Sequence, residues 1–243
     1  MAELTERQAQ ILKDIVEEYV ETGEPVGSET LDRKYSLRVS PATIRNEMVK
    51  LTQTGYLSQP HTSAGRIPTS LGFKFYIGEL MEEKKLSVTE EVSAKEAVWD
   101  YRFEFDHLLR EITRVLAQKT QALAIATTQD GDIYASGYAN ILDMPEFYDI
   151  DVTRNVLSLL DEAKHLQLIF SRAFGEDQVH ILLGEELEQE FLSPCGLVFT
   201  HFTVGPKKQG AVGIIGPYRL NYSRVIPMVR YFGDLINELS KNW

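Results

Sequence analysis

SPATIRNEMVKLTQTGYLSQPHTSAGRIPT, residues 40–69, reads as a helix followed by a small polar hairpin. Ser40 can cap the helix and Pro41 sits at its first position, where a missing N–H costs nothing. Ile44, Met48 and Leu51 recur at helical spacing and form one apolar stripe for a core. The other face carries Thr43, Arg45, Asn46 and Lys50, side chains able to bond base edges and phosphates. Gly55 ends the helix in the manner of a left-handed C-cap. Tyr56–Gln59 and Arg66–Pro68 read as short strands joined by a loop over Pro60–Gly65, with Gly65 supplying a tight turn. A helix with such an outer face beside such a hairpin is how a winged helix-turn-helix meets DNA.

Upstream, Thr5 opens a helix with Gln8 placed for a capping box. Ile11, Leu12, Ile15, Val16, Tyr19 and Val20 keep helical spacing until Gly23 closes it. Ser28 is positioned to cap a short second helix carrying Leu31 and ending near Tyr35. Helix, short helix, turn and helix make a tri-helical core. A further helix begins at Thr69 or Ser70 and runs through Phe73, Tyr76, Ile77 and Leu80.

The chain of 243 residues has a net charge of −11, an unpromising sum for a DNA binder. Distribution matters more than the sum. Between residues 33 and 78 the bases are Arg33, Lys34, Arg38, Arg45, Lys50, Arg66 and Lys74, and the only acid is Glu47. A positive patch on an acidic body is still an electrostatic footprint, and its modest extent calls for two copies.

Recognition helices present their N-terminal residues to the major groove, here Ser40, Ala42 and Thr43, with Arg45 and Asn46 next. Arg45 suits a bidentate contact to guanine and Asn46 one to adenine, each worth roughly 1–3 kcal/mol of discrimination. Lys50 is placed for phosphate. In the wing, His61, Thr62, Ser63 and Arg66 are candidates for phosphate or the minor groove. The plainer alternative is a solvated surface, and for Ser40 capping alone is a sufficient explanation. Glu47 is expected to pair with Arg33, Lys34 or Lys50.

The second half reads as an α+β domain. Residues 83–97 form a charged, partly helical linker between a domain at 1–82 and another at 98–243. A long helix is expected from Trp99 to about Lys119, strands at Ala122–Thr127 and Ile133–Gly137, and a loop over Leu142–Phe147. A helix over Val152–Glu162 and strands at Leu166–Phe170 and Val179–Leu183 follow. Leu197–Val204 and Gly210–Ile215 suggest an antiparallel pair, and Tyr222–Leu239 a final amphipathic helix.

Catalytic constellations are poor. Cys195, the sole cysteine, excludes an intrachain disulfide framework and any multi-cysteine zinc site. Cys195 and His201 share a strand-like region without a third group to orient them. His107, His165 and His180 lack metal-ligand spacing. Glu185, Glu186, Glu188 and Glu190 read as a solvated helix face. Gly210, Gly213 and Gly216 do not form a dinucleotide fingerprint. The expectation is a non-enzymatic protein without cofactor or metal. No apolar stretch reaches the length of a membrane span, and a reducing cytoplasmic home is expected.

Three segments, LTERQAQILKDIVEEYVETGEPVGSETL (4–31), SPATIRNEMVKL (40–51) and GYLSQPHTSAGRIPT (55–69), resemble the HrcA family of heat-inducible transcription repressors. A weaker resemblance continues in YANILDMPEF (138–147) and GAVGIIGPYRLNYSRVIPMVRYF (210–232), which look like the family's GAF-like carboxy-terminal part. The resemblance implies a winged helix-turn-helix domain followed by a GAF-like α+β domain with a mostly antiparallel sheet. It implies repression of chaperone operons through an inverted-repeat operator bound as a homodimer, and dependence on a GroEL-type chaperonin. One departure is substantial. Members carry further strands and an inserted dimerisation subdomain between segments like Ala122–Thr127 and Tyr138–Phe147, where this chain has a short connection. The alternative reading is a ligand-responsive regulator whose GAF-like domain senses a small molecule.

Overall fold

Thr5 starts the first helix as a full capping box. Its hydroxyl accepts the Gln8 N–H at 3.3 Å, while the Gln8 side chain accepts the Thr5 N–H at 3.1 Å. This helix, α1 (Glu6–Thr22), buries Ile11, Leu12, Ile15 and Val16. It stops at Gly23, which lies in the left-handed region at φ 73° and donates its N–H to the Tyr19 carbonyl. In the computed structural model, which describes residues 4–35, 37–171, 177–188, 192–204 and 208–240, the chain forms two compact units, Met1–Glu82 and Glu83–Trp243.

The first unit continues with α2 (Ser28–Lys34), α3 (Pro41–Gln53), a two-stranded antiparallel ribbon of β1 (Leu57–Ser58) and β2 (Ile67–Pro68), and α4 (Ser70–Phe75). The last of these widens into a π-helical turn over Tyr76–Leu80. Ser28 is the first residue of α2 and not its cap: Gly27 holds that place without a side-chain hydrogen bond. Ile44, Met48 and Leu51 of α3 are buried as their spacing requires, together with Leu31, Tyr56 and Phe73.

The second unit is α+β, built on one antiparallel sheet of five strands in the order β4-β3-β7-β6-β5. The strands are β3 (Leu123–Thr128), β4 (Ile133–Ser136), β5 (Val179–Leu183), β6 (Cys195–Val204) and β7 (Lys208–Pro217). Helices α5 (Val88–Trp99), α6 (Phe105–Thr120), α7 (Tyr138–Leu142), α8 (Ile150–Ser158), α9 (Ala163–Ser171) and α10 (Tyr222–Leu239) surround it. One face, with Leu123, Ile125, Leu197, Phe199 and Ile215, shares a core with Ile141, Val152, Val156, Ile169 and Phe170 of α7 to α9. On the other, the Phe202 ring meets Phe105 of α6 edge-on, and Gly233 of α10 lies directly over the Thr200 methyl.

Several elements differ from the sequence reading. Residues 166–170, expected as a strand, lie in α9, where Leu166, Ile169 and Phe170 are buried at helical spacing and Leu168 is exposed. The helix expected from Trp99 starts only at Phe105, as α6: Asp100–Glu104 separate it from α5, which ends at Trp99. The helical part expected within the charged linker is α5, longer than a linker turn, capped by a Ser87–Glu90 box and burying Ala94 and Val98. The expected loop over 142–147 holds the end of α7 and a 3-10 turn at Pro145–Phe147. Glu185 and Glu186 lie in another 3-10 turn, Gly184–Leu187, where the Glu186 carboxylate accepts the Leu183 N–H, and Glu190 is outside the described residues. The short connection after β3 is a tight hairpin: the Thr128 N–H donates to the Asp132 carbonyl and β4 returns at once along β3.

Candidate nucleic-acid interface

Ser40 fixes the start of α3. Its Oγ accepts the Thr43 N–H at 3.2 Å and lies 3.0 Å from the Thr43 hydroxyl, so these two side chains first serve the helix end. Past Thr54 the chain turns through Gly55 at φ 83°, a left-handed conformation that glycine enters without steric cost. Between these ends Ala42, Arg45, Asn46 and Lys50 are exposed. Arg45 and Asn46 have no side-chain partner among the described residues.

The orientation of α3 is fixed from beneath by Glu47, which is 8% exposed. Its carboxylate accepts Gln8 Nε2 at 3.0 Å and Lys50 Nζ at 3.0 Å. The Lys50 hydrogen bond, ahead of that from Gln8, holds this carboxyl below its usual range despite the opposing effect of burial. Of the three bases considered for Glu47, Lys50 is the one it pairs with. Lys34 instead binds Glu18 of α1 at 2.8 Å.

The hairpin loop is braced from within. The Gln59 side-chain amide donates to the carbonyls of Thr62 and Ala64, at 3.0 and 2.9 Å, leaving His61, Thr62 and Ser63 exposed at the tip. Arg66 is less free than its place in the sequence suggests. Its backbone exchanges two 2.9 Å hydrogen bonds with Val26, and its Nε donates to Thr52 Oγ1 at 3.0 Å, tying the hairpin both to the turn before α2 and to α3. Gly65 has an extended role too. A Cβ there would come within 2.4 Å of the Val26 backbone, so glycine is required for close approach, not for the tight turn expected.

A groove of about 480 Å³ results between Gly27 and Ser28 at the start of α2, Arg45 and Val49 of α3, and Gln59 and Arg66 of the hairpin. The fold thus gathers Arg45, Thr62, Ser63 and Arg66 around one depression. Ser40, Ala42, Thr43, Asn46, Lys50 and His61 do not line it. Thr52, Gln59 and Val26 are the supporting residues that sequence reasoning missed. Nothing local marks them, because each acts through a contact to a residue distant in sequence or through a backbone carbonyl.

Elsewhere, Cys195 is fully buried and its thiol is pushed up to about 12 by desolvation. His180 and His201 stand edge to face, 5.6 Å between ring centres, and burial lowers both from the ordinary imidazole value.

Residues 74–226 match the model for the HrcA protein C terminal domain. The heat-inducible transcription repressor HrcA of Symbiobacterium thermophilum is 28% identical over 338 aligned positions, covering 98% of this chain and 99% of that protein. The repressor of the same name from Desulforamulus reducens is 29% identical over 326 positions, covering 93% and 94%. This chain has 243 residues, so both relatives carry stretches aligned to gaps here. A crystal structure described as a hypothetical protein at 2.2 Å resolution superposes with a TM-score of 0.79 at 20% identity over 99% of each chain, a likeness of fold.

Proposed function

This chain belongs to the HrcA family, and from that premise we propose that it is a transcription repressor of heat-shock chaperone operons whose first unit is a winged helix-turn-helix. The observation that carries the reading is α3. Arg45 and Asn46 project unpartnered from a helix that Ser40 caps and Glu47 orients, beside a braced polar loop. That is the arrangement of a recognition helix with its wing. Arg45 and Asn46 read bases, Lys50 meets phosphate, and His61, Thr62 and Ser63 touch the flanking backbone or minor groove. Ser40, Ala42 and Thr43 bring the helix N-terminus against the groove. Arg66 acts mainly by positioning the wing, with its remaining N–H groups turned toward DNA.

The operator is an inverted repeat bound by a homodimer, with half-sites set by the spacing of two α3 helices. The second unit, GAF-like, sets that spacing without the family's inserted subdomain. Its folding state, maintained by a GroEL-type chaperonin, governs occupancy, so heat that diverts the chaperonin releases the genes. The Arg45→Ala variant tests the reading through competition titrations. Specific binding is expected to weaken by roughly 1–3 kcal/mol while nonspecific binding changes little. An equal loss on both DNAs makes Arg45 a phosphate contact and removes the base-reading role of α3.

A further inference from the structure

Four cationic side chains of the second unit, Lys84, Lys85, Lys119 and Arg224, line a single cleft of about 440 Å³. The chain as a whole carries −11, so such a gathering runs against its composition. The acid at the rim is Glu90. One of its oxygens is taken by the Ser87 N–H and hydroxyl, at 2.9 and 2.8 Å, and the other reaches Arg224 at 4.0 Å. Lys84 and Lys85 make no ion pair among the described residues, and Lys119 only feels the Glu90 charge from a distance. Like charges held around one concavity repel, and the cost falls when an anion enters.

The cleft is built and not merely lined by surface chains. The segment leading into it is fastened to α10: Arg230 holds Glu83 with two hydrogen bonds, at 2.5 and 2.9 Å, and the Lys84 N–H donates to the Ser223 carbonyl at 2.9 Å. Lys119 is set by the last turn of α6, and Arg224 by the first turn of α10. Buried Leu220, Val225 and Met228 form an apolar floor beneath the cations. Convergent charge over an apolar floor, in a volume within the usual range for small-molecule sites, describes a ligand pocket.

We propose that this cleft binds a small phosphate-bearing anion, with phosphate oxygens on the four cations and any organic body against Val225 and Met228. Ammonium and guanidinium donors give phosphate the charge-assisted hydrogen bonds it accepts most strongly. The site is lined by residues of the second unit alone and shares none with α3 or its hairpin. Binding there is therefore measurable without DNA.

Calorimetric titration of the full chain with pyrophosphate and with ATP, at fixed ionic strength, is the test. One saturable site per chain is expected. The double variant Lys119→Ala/Arg224→Ala is expected to weaken it at least tenfold, while Lys164→Ala, outside the cleft, leaves it unchanged. Both replaced side chains are at the surface of the cleft, and an unaltered melting curve confirms that the variant is folded. Pyrophosphate and ATP bound alike identify an inorganic ligand; tighter ATP identifies an organic one using the floor. The proposal is overturned if neither probe gives saturable binding, or if the double variant binds as the parent does. It is also overturned if duplex DNA alone engages these residues.

Discussion

At Gly65 one added methyl group collides with backbone. The Val26 backbone occupies the space a Cβ needs, and Val26 is also the residue whose N–H and carbonyl bind Arg66. Gly65→Ala must push the hairpin off the turn before α2. It is expected to destabilise the first unit by about 2 kcal/mol or more, read as a lowered melting midpoint with weaker DNA binding. An unchanged midpoint contradicts this role. Asp14 offers a second test. It is buried on α1, and desolvation raises its carboxyl from 3.8 to about 6, against the lowering effect of the Gln10 amide at 2.8 Å. Its Oδ2 has no hydrogen-bond partner among the described residues. Because the folded-state value lies above the unfolded one, the folded chain binds this proton more readily, and stability falls as pH rises from about 4 through about 6. Asp14→Asn is expected to flatten that slope and to stabilise the unit at pH 7 by roughly 1–2 kcal/mol, with the gain fading toward pH 4. A variant that keeps the parent's pH dependence places the titration elsewhere.

At the scale of elements, α3 depends on its cap and on the Gln8–Glu47–Lys50 chain below it. Ser40→Ala removes the hydroxyl that accepts the Thr43 N–H and should cost about 1 kcal/mol of first-unit stability in a denaturant titration. Operator affinity should fall less than in Arg45→Ala; a larger fall makes Ser40 a direct DNA contact. Helices α1 and α3 were legible because capping signals and apolar periodicity agree there, and α10 from its apolar periodicity alone. Helix α9 was not, since LQLIF is a short apolar run that fits a strand or a buried helix equally well, and only its packing under the sheet decides. Helix α5 was legible only as partial helicity in a charged linker, because it has just Ala94 and Val98 to bury. In the candidate site, the exposed face of α3 could be read from spacing alone. The ties of Arg66 to Val26 and Thr52 could not, because they join residues far apart in sequence.

For the whole molecule, charge and length set the terms of DNA binding. Bases outnumber acids in the stretch 33–78 around α3 while the rest of the chain is strongly acidic, so few phosphates are neutralised per chain. Lys50→Ala should lessen the slope of log affinity against log salt by about one per protomer, and should weaken specific and nonspecific DNA alike. On the proposed reading, few contacts per chain call for a second protomer, although the hairpin after β3 leaves no room for an inserted subdomain there. The most direct measurement is a binding titration at stated salt against an inverted repeat from a chaperonin promoter, a single half-site and scrambled DNA, with and without chaperonin. The account predicts tight binding only to the intact repeat, strengthened by chaperonin. Equal and weak binding to all three DNAs by a folded protein would contradict it.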